Sequence, residues 1–256
     1  MLLAIDVGNT NTTLGVFDGQ RLLAHWRIQT RPERTSDEYT VLLAELFSFR
    51  HVEREAIHHA CLSCVVPPVQ NPVVEALVEY LNLNPLVISP GVRTGMPLLL
   101  DNPKEAGADR IANAVAAYET AKKSCIVVDF GTATTFDMVS DQGEYLGGAI
   151  APGIQLSADA LFTAAAKLPR VSLLRPRHAI GRNTEESMQA GLVFGYVGLV
   201  DGIVERMMRE REAPDCRVFA TGGQARLLVG ASRFVRDVDE FLTLQGLRIL
   251  YRRNRA

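Results

Sequence analysis

Short apolar runs separated by turn residues open the chain, a pattern of strands rather than of amphipathic helices. Leu2 to Val7 is the first run. Thr12 to Phe17 follows a Gly-Asn-Thr turn, and Leu22 to Ile28 follows the hairpin signal Asp18-Gly19. The three predict an antiparallel meander. Ser36 to Phe49 then reads as a helix, with Ser36 placed to cap it and Tyr39, Leu42, Leu43 and Leu46 at helical spacing. A strand over Ile57 to Val66 ends at Pro67-Pro68, a helix covers Asn71 to Leu81, and Pro85 to Ser89 is a short strand. Gly91 to Gly107 reads as a loop and Ala108 to Lys122 as an Ala-rich helix.

The opening pattern then returns. Strands are predicted at Ile126 to Asp129, Thr134 to Val139 and Tyr145 to Ile150, with a turn at Asp141-Gln-Gly143. Helices follow at Gly153 to Lys167 and Thr184 to Arg211, then a strand at Val218 to Ala220 and a last helix at Glu240 to Arg252. The repeat has a sequence echo. Asp6-Val-Gly8-Asn-Thr10 ends one first strand, and Asp129-Phe-Gly131-Thr-Ala-Thr134 ends the other. An internal repeat fixes the fold hypothesis: an α/β chain of two similar βββαβα lobes, residues 1–120 and 121–256, each of ordinary domain size.

Composition narrows the partners. With 27 Lys and Arg against 29 Asp and Glu the net charge is −2, which argues against binding nucleic acid by neutralising phosphates. The basic run Tyr251-Arg-Arg-Asn-Arg255 is short and reads as a solvated helix end. No run of apolar residues reaches the ~18 that a spanning helix needs, and there is no basic leader, so neither a membrane nor a secreted location is expected. Four cysteines do not make a disulfide framework in a chain of 256 residues, so a cytoplasmic protein is expected.

The two Asp-x-Gly turns are the chemistry-bearing motifs. Each places an acid at the end of a buried strand, then a glycine, then small hydroxyl or amide residues. Glycine lets backbone approach a ligand closely, and successive N–H groups in such a turn form a concave anion site. The acid is repelled by phosphate, so it makes sense only with a cation between. Each lobe thus reads as a phosphate loop with a cation-binding acid, and two facing copies would hold one nucleoside triphosphate in a cleft between the lobes. A lone turn of this kind is commonly a plain hairpin turn. Two copies in matching places, with a third glycine turn at Gly222-Gly223 after a strand, favour function. No Gly-x-x-x-x-Gly-Lys-Ser/Thr loop occurs.

The duplicated architecture with these turns resembles the superfamily of acetate kinase, sugar kinases, heat-shock chaperones and actin, whose lobes are ribonuclease H-like. Within it the chain is similar to type III pantothenate kinases. The resemblance rests on Asp6 to Thr13, Gly107-Ala-Asp-Arg110, Asp129 to Thr135, Gly181-Arg-Asn-Thr184 and Thr221-Gly-Gly223, and most specifically on Asp101 to Arg110. It implies phosphorylation of pantothenate by ATP to 4′-phosphopantothenate, the first step of coenzyme A biosynthesis.

The resemblance also implies roles. Asp6, Val7, Gly8, Asn9, Thr10, Asn11, Thr12 and Thr13 would form the first ATP loop, with Asp6 facing Mg²⁺ through water. Thr132, Gly222 and Gly223 would serve the ATP as well. Asp129 would ligate a monovalent cation, K⁺ or NH₄⁺. Leu100, Gly107, Ala108, Asp109, Arg110 and Thr184 would contact pantothenate, with Asp109 as general base. The family usually carries an aromatic residue before Asp101, and this chain has Leu100. From the residues alone, Asp109 reads equally well as a helix cap with Arg110 paired to Glu105. A helix start also favours its anion through the dipole.

Other features carry less. His58, His59, Cys61 and Cys64 lie in a predicted strand, where the two thiols face opposite ways, so packing is expected rather than zinc. His178 reads as a solvated loop residue. Gly191, Gly195, Gly198 and Gly202 form a stripe on the long helix, each costing ~1 kcal/mol against Ala. The stripe implies close approach of another backbone, from the chain's own sheet or across the seam of the homodimer that the family resemblance favours. The alternatives to the pantothenate reading are a related small-alcohol or sugar kinase and a non-catalytic regulator of the same fold.

Overall fold

The computed structural model describes residues 1–255. It falls into two α/β units, each built on one sheet. Met1–Gly95, Asp101–Ala116 and the C-terminal helix form the first, while Met96–Leu100 and Ala117–Phe241 form the second.

In the first unit β1 (Leu2–Val7), β2 (Asn11–Asp18) and β3 (Arg21–Gln29) form the meander. α1 (Ser36–Phe49), β4 (His59–Cys64), α2 (Pro67–Leu81) and β5 (Leu86–Val87) follow, giving the order β3-β2-β1-β4-β5. β1 pairs antiparallel with β2 and parallel with β4. Leu3, Ile5 and Val7 of β1 share one core with Tyr39, Leu43 and Phe47 of α1 and with Val73 and Leu77 of α2. Trp26 stacks on Phe47 at 5.7 Å within it. Burying a side chain such as Phe47 contributes about 2–3 kcal/mol.

The C-terminal helix is the main departure from the expected division at residue 120. α6 (Leu242–Arg255) packs on β1, β2 and β4, the sheet of the first unit. Gly246 lets it cross α3 (Ala108–Ala121) closely, since a Cβ there would lie 2.0 Å from the Ala112 carbonyl oxygen. Both faces of the sheet are thereby covered, which is why β1 is apolar on both sides. The basic end of α6 is not merely solvated. Asn254 accepts from the Arg93 N–H and donates to its carbonyl, both at 2.9 Å, and Arg253 donates to the Thr94 carbonyl.

Local details also differ from expectation. Thr35, not Ser36, caps α1, in a reciprocal box with Glu38. α2 begins at Pro67 and Pro68, which read as strand terminators but occupy its first turn, where a missing N–H costs nothing.

The second unit repeats the plan. β6 (Cys125–Phe130), β7 (Ala133–Val139), β8 (Tyr145–Pro152) and β9 (Arg217–Thr221) are ordered β8-β7-β6-β9. The fifth strand of the first unit shrinks here to a single bridge between Ala220 and Val238. α4 (Ile154–Ala164) and α5 (Thr184–Glu210) connect β8 to β9. α5 is long and apolar enough to cross a membrane by composition alone. One face of it, Val193, Tyr196, Val200 and Val204, is buried in the same core as Ile126, Val128, Phe130 and Phe136.

Candidate active site

The first turn runs from Gly8 to Thr10, between β1 and β2. Asp6 is half-buried at the end of β1, in register with Thr13 on β2 and Ser63 on β4. The Gly8 N–H donates to the Asn11 carbonyl at 3.0 Å and closes the turn. Asn9, Thr10 and Asn11 are exposed, whereas Val7 and Thr12 are buried. A residue that sequence reasoning missed holds this turn from outside. Thr30, just past β3, donates its N–H to the Thr10 carbonyl at 3.0 Å and its hydroxyl to the Gly8 carbonyl at 2.7 Å. The same hydroxyl bonds that of Thr12 at 2.9 Å. The signal was available in principle, because the β2–β3 register that pairs Thr12 with Ile28 carries Thr30 to a place opposite Thr10.

The second turn is shorter, Gly131 and Thr132 only, and both are exposed. Asp129 lies in register with Thr135 on β7 and Thr221 on β9. The carboxylate of Asp129 sits against bare backbone. A Cβ on Gly222 would fall 2.5 Å from its Oδ1, and Gly222 has φ +92°, a conformation side chains resist. The structure thus brings Asp129, Thr221 and Gly222 together, with Gly223 exposed beside them.

Asp109 stands in the first turn of α3, where the helix dipole favours an anion. It is not the cap. The Ile111 N–H bonds to the Gly107 carbonyl at 3.1 Å, which makes Gly107 the capping position. Asp109 Oδ1 accepts from the Arg110 N–H at 2.8 Å, and a Cβ on Gly107 would lie 2.5 Å from that oxygen. Gly107 therefore makes the room in which the carboxylate rests. Glu105, paired with Arg110 in the capping alternative, takes a hydrogen bond from Asn102 at 2.8 Å. Gly107 to Arg110 are half-buried, and Asp101 to Glu105 are exposed.

Leu100 belongs to the second unit. The strap before it is pinned to β8, with the Tyr145 N–H on the Pro97 carbonyl and the Leu99 N–H on the Tyr145 carbonyl, each at 2.8 Å. Leu100 reaches the place a Cβ of Gly147 would occupy, with 3.0 Å between them. Thr184 is the exposed first residue of α5, which Asn183 caps.

Burial pushes the Cys61 thiol up to about 12, and the Cys64 thiol donates to the Val66 carbonyl at 3.2 Å. His178 is exposed. Among the described residues no three His, Cys, Asp or Glu side chains are grouped to hold a metal ion. The glycine stripe does not approach the chain's own sheet. Cβ atoms on Gly191, Gly195 or Gly198 would meet nothing within 4 Å.

The profile of the type III pantothenate kinases matches residues 2–206. The type III pantothenate kinase of Myxococcus xanthus is 58% identical over 256 residues, covering all of both chains. That of Geobacter sulfurreducens is 55% identical over 256 residues, again covering both chains in full. A solved structure of a proposed N-acetylglucosamine kinase from Porphyromonas gingivalis superposes with a TM-score of 0.55 at 13% identity, covering 100% of each chain, and so shares the fold. On the strength of its sequence, the chain belongs to the type III pantothenate kinase family.

Proposed function

We propose that this chain transfers the γ-phosphoryl group of ATP to the primary hydroxyl of pantothenate, giving 4′-phosphopantothenate and ADP in the first step of coenzyme A biosynthesis. The observation that carries the reading is the matched pair of Asp-x-Gly turns, each at the end of the first strand of its sheet, in a chain of this family.

In this reading the Gly8 to Thr13 segment receives ATP phosphates, with the buried Thr12 supporting the turn through its hydroxyl bond to Thr30. Thr132, Gly222 and Gly223 serve the nucleotide from the second unit. Pantothenate is held by Leu100, Gly107, Ala108, Arg110 and Thr184. Asp109 accepts the proton of the hydroxyl as its oxygen bonds to the γ-phosphorus and the bond from that phosphorus to the leaving ADP oxygen breaks. The transition state is loose, so the carboxylate chiefly orients the hydroxyl and takes the proton late.

Two cations fit the donors present. A Mg²⁺ ion on nucleotide usually keeps several waters and needs only one or two carboxylates, which suits Asp6 without a metal cage. A monovalent cation, K⁺ or NH₄⁺, suits Asp129 in its setting of hydroxyl side chains and bare backbone. Such ions neutralise charge on the phosphoryl oxygens. The four cysteines are free thiols, in keeping with a cytoplasmic site of action. The glycine stripe on α5 supports a homodimer, for Gly191, Gly195 and Gly198 have no intrachain packing that offsets their helix-propensity cost. A monomeric mass by light scattering at micromolar concentration would count against that seam.

The test is ADP release from ATP with and without pantothenate, in potassium and in sodium buffer. Turnover should require pantothenate and rise with potassium. Asp109→Asn should fold as the parent does and lose at least about 100-fold in kcat, the usual worth of a general base. Near-full activity of that variant would remove Asp109 from the role.

A further inference from the structure

We infer that Thr30 is a positioning residue for nucleotide binding, holding the Gly8–Thr10 backbone in the conformation that presents its N–H groups to phosphate. The inference rests on the reading of this turn as a phosphate loop. Thr30 lies outside the Asp6 to Thr13 motif.

The argument is one of peptide geometry. A phosphate loop must offer amide hydrogens and keep its carbonyl oxygens away from the anion. In a trans peptide the carbonyl and the following N–H point in opposite directions. Thr30 takes two carbonyls of the turn to its own side, that of Gly8 through its hydroxyl at 2.7 Å and that of Thr10 through its N–H at 3.0 Å. The N–H groups of Asn9 and Asn11 are thereby turned the other way. Thr30 is buried, and its hydroxyl bond to Gly8 is partly shielded from solvent. Its hydroxyl also meets that of Thr12 at 2.9 Å, which ties the start of β2 to the same point.

A hydroxyl is required for this. Valine has the same shape but can neither donate to Gly8 nor pair with Thr12, and the Gly8 carbonyl is then released to face the phosphates. Serine keeps the hydroxyl and loses only a methyl group.

Steady-state constants for both substrates decide the matter, measured for the parent, Thr30→Val, Thr30→Ser and Gly8→Ala. Thr30→Val should raise KM for ATP by roughly tenfold, the value of one or two lost hydrogen bonds. KM for pantothenate should stay within about twofold, and Thr30→Ser should restore most of the ATP affinity. An unchanged KM for ATP in Thr30→Val, an equal rise for both substrates, or a Thr30→Ser enzyme as impaired as Thr30→Val would each overturn the inference. Should Thr30→Val fail to fold, Thr30→Ala, which leaves space for a water, is read by the same criteria. Gly8→Ala separates the two levels of the argument. If it leaves KM for ATP unchanged, the turn is not a phosphate loop; if it raises KM while Thr30→Val does not, the loop stands and the latch falls.

Discussion

The two turns share a plan and differ in how they are held. In each unit an acid on the first strand has a hydroxyl residue beside it on both neighbouring strands, Thr13 and Ser63 around Asp6, Thr135 and Thr221 around Asp129. In each, the residue just beyond the third strand donates its N–H to a turn carbonyl at 3.0 Å, Thr30 to Thr10 and Gly153 to Thr132. The side chains part company there. The first turn is one residue longer and admits a threonine, whose hydroxyl bonds Gly8 and Thr12. The second is drawn so close that a Cβ on Gly153 would lie 2.3 Å from the Thr132 carbonyl oxygen and 2.5 Å from that of Gly131. Thr134, the counterpart of Thr12, consequently keeps a buried hydroxyl with no partner among the described residues. The backbone latch is common to both copies, and the side-chain latch exists only where the longer turn leaves room for it.

The largest effect should come from closing the gap at Gly153. Gly153→Ala forces a methyl group into two backbone carbonyls and should cost about 3 kcal/mol, the upper end of overpacking penalties. Urea denaturation measures it; a stability indistinguishable from the parent would mean that the second turn is looser than its geometry. Smaller and opposite effects are expected at the paired threonines. Thr12→Val leaves the Thr30 hydroxyl short of a partner and should cost about 1 kcal/mol. Thr134→Val removes a hydroxyl that is already unsatisfied and should be neutral or stabilising by up to about 1 kcal/mol. Equal losses in the two variants, read from paired melting curves, would erase the distinction between the copies.

Much of this was legible in the chain itself. The two meanders, both acids, the glycines after them and the helix start at Ala108 all follow from local pattern, since period and turn chemistry are local properties. What escaped was tertiary. The apolar positions Leu244, Leu247 and Leu250 announce a buried face on α6 but not that the first sheet receives it. Thr30 looks like any polar residue after a strand until the register sets it opposite Thr10. Pro67 and Pro68 mark the end of a strand in the sequence but do not announce that they also open a helix, because the same residue type serves both. The glycine stripe announces close packing and is silent on the partner; only the empty space around it excludes the chain's own sheet.

We propose a division of labour in which the Asp6 turn serves Mg²⁺ and nucleotide and the Asp129 turn serves the monovalent cation. Calorimetric ATP binding, titrated separately against Mg²⁺ and against K⁺, tests it most directly in the parent, Asp6→Asn and Asp129→Asn. Asp6→Asn should weaken the Mg²⁺ dependence and keep the K⁺ half-saturation, while Asp129→Asn should abolish the K⁺ response and keep that of Mg²⁺. Both variants losing both responses alike, or Asp129→Asn retaining a normal K⁺ response, would contradict it.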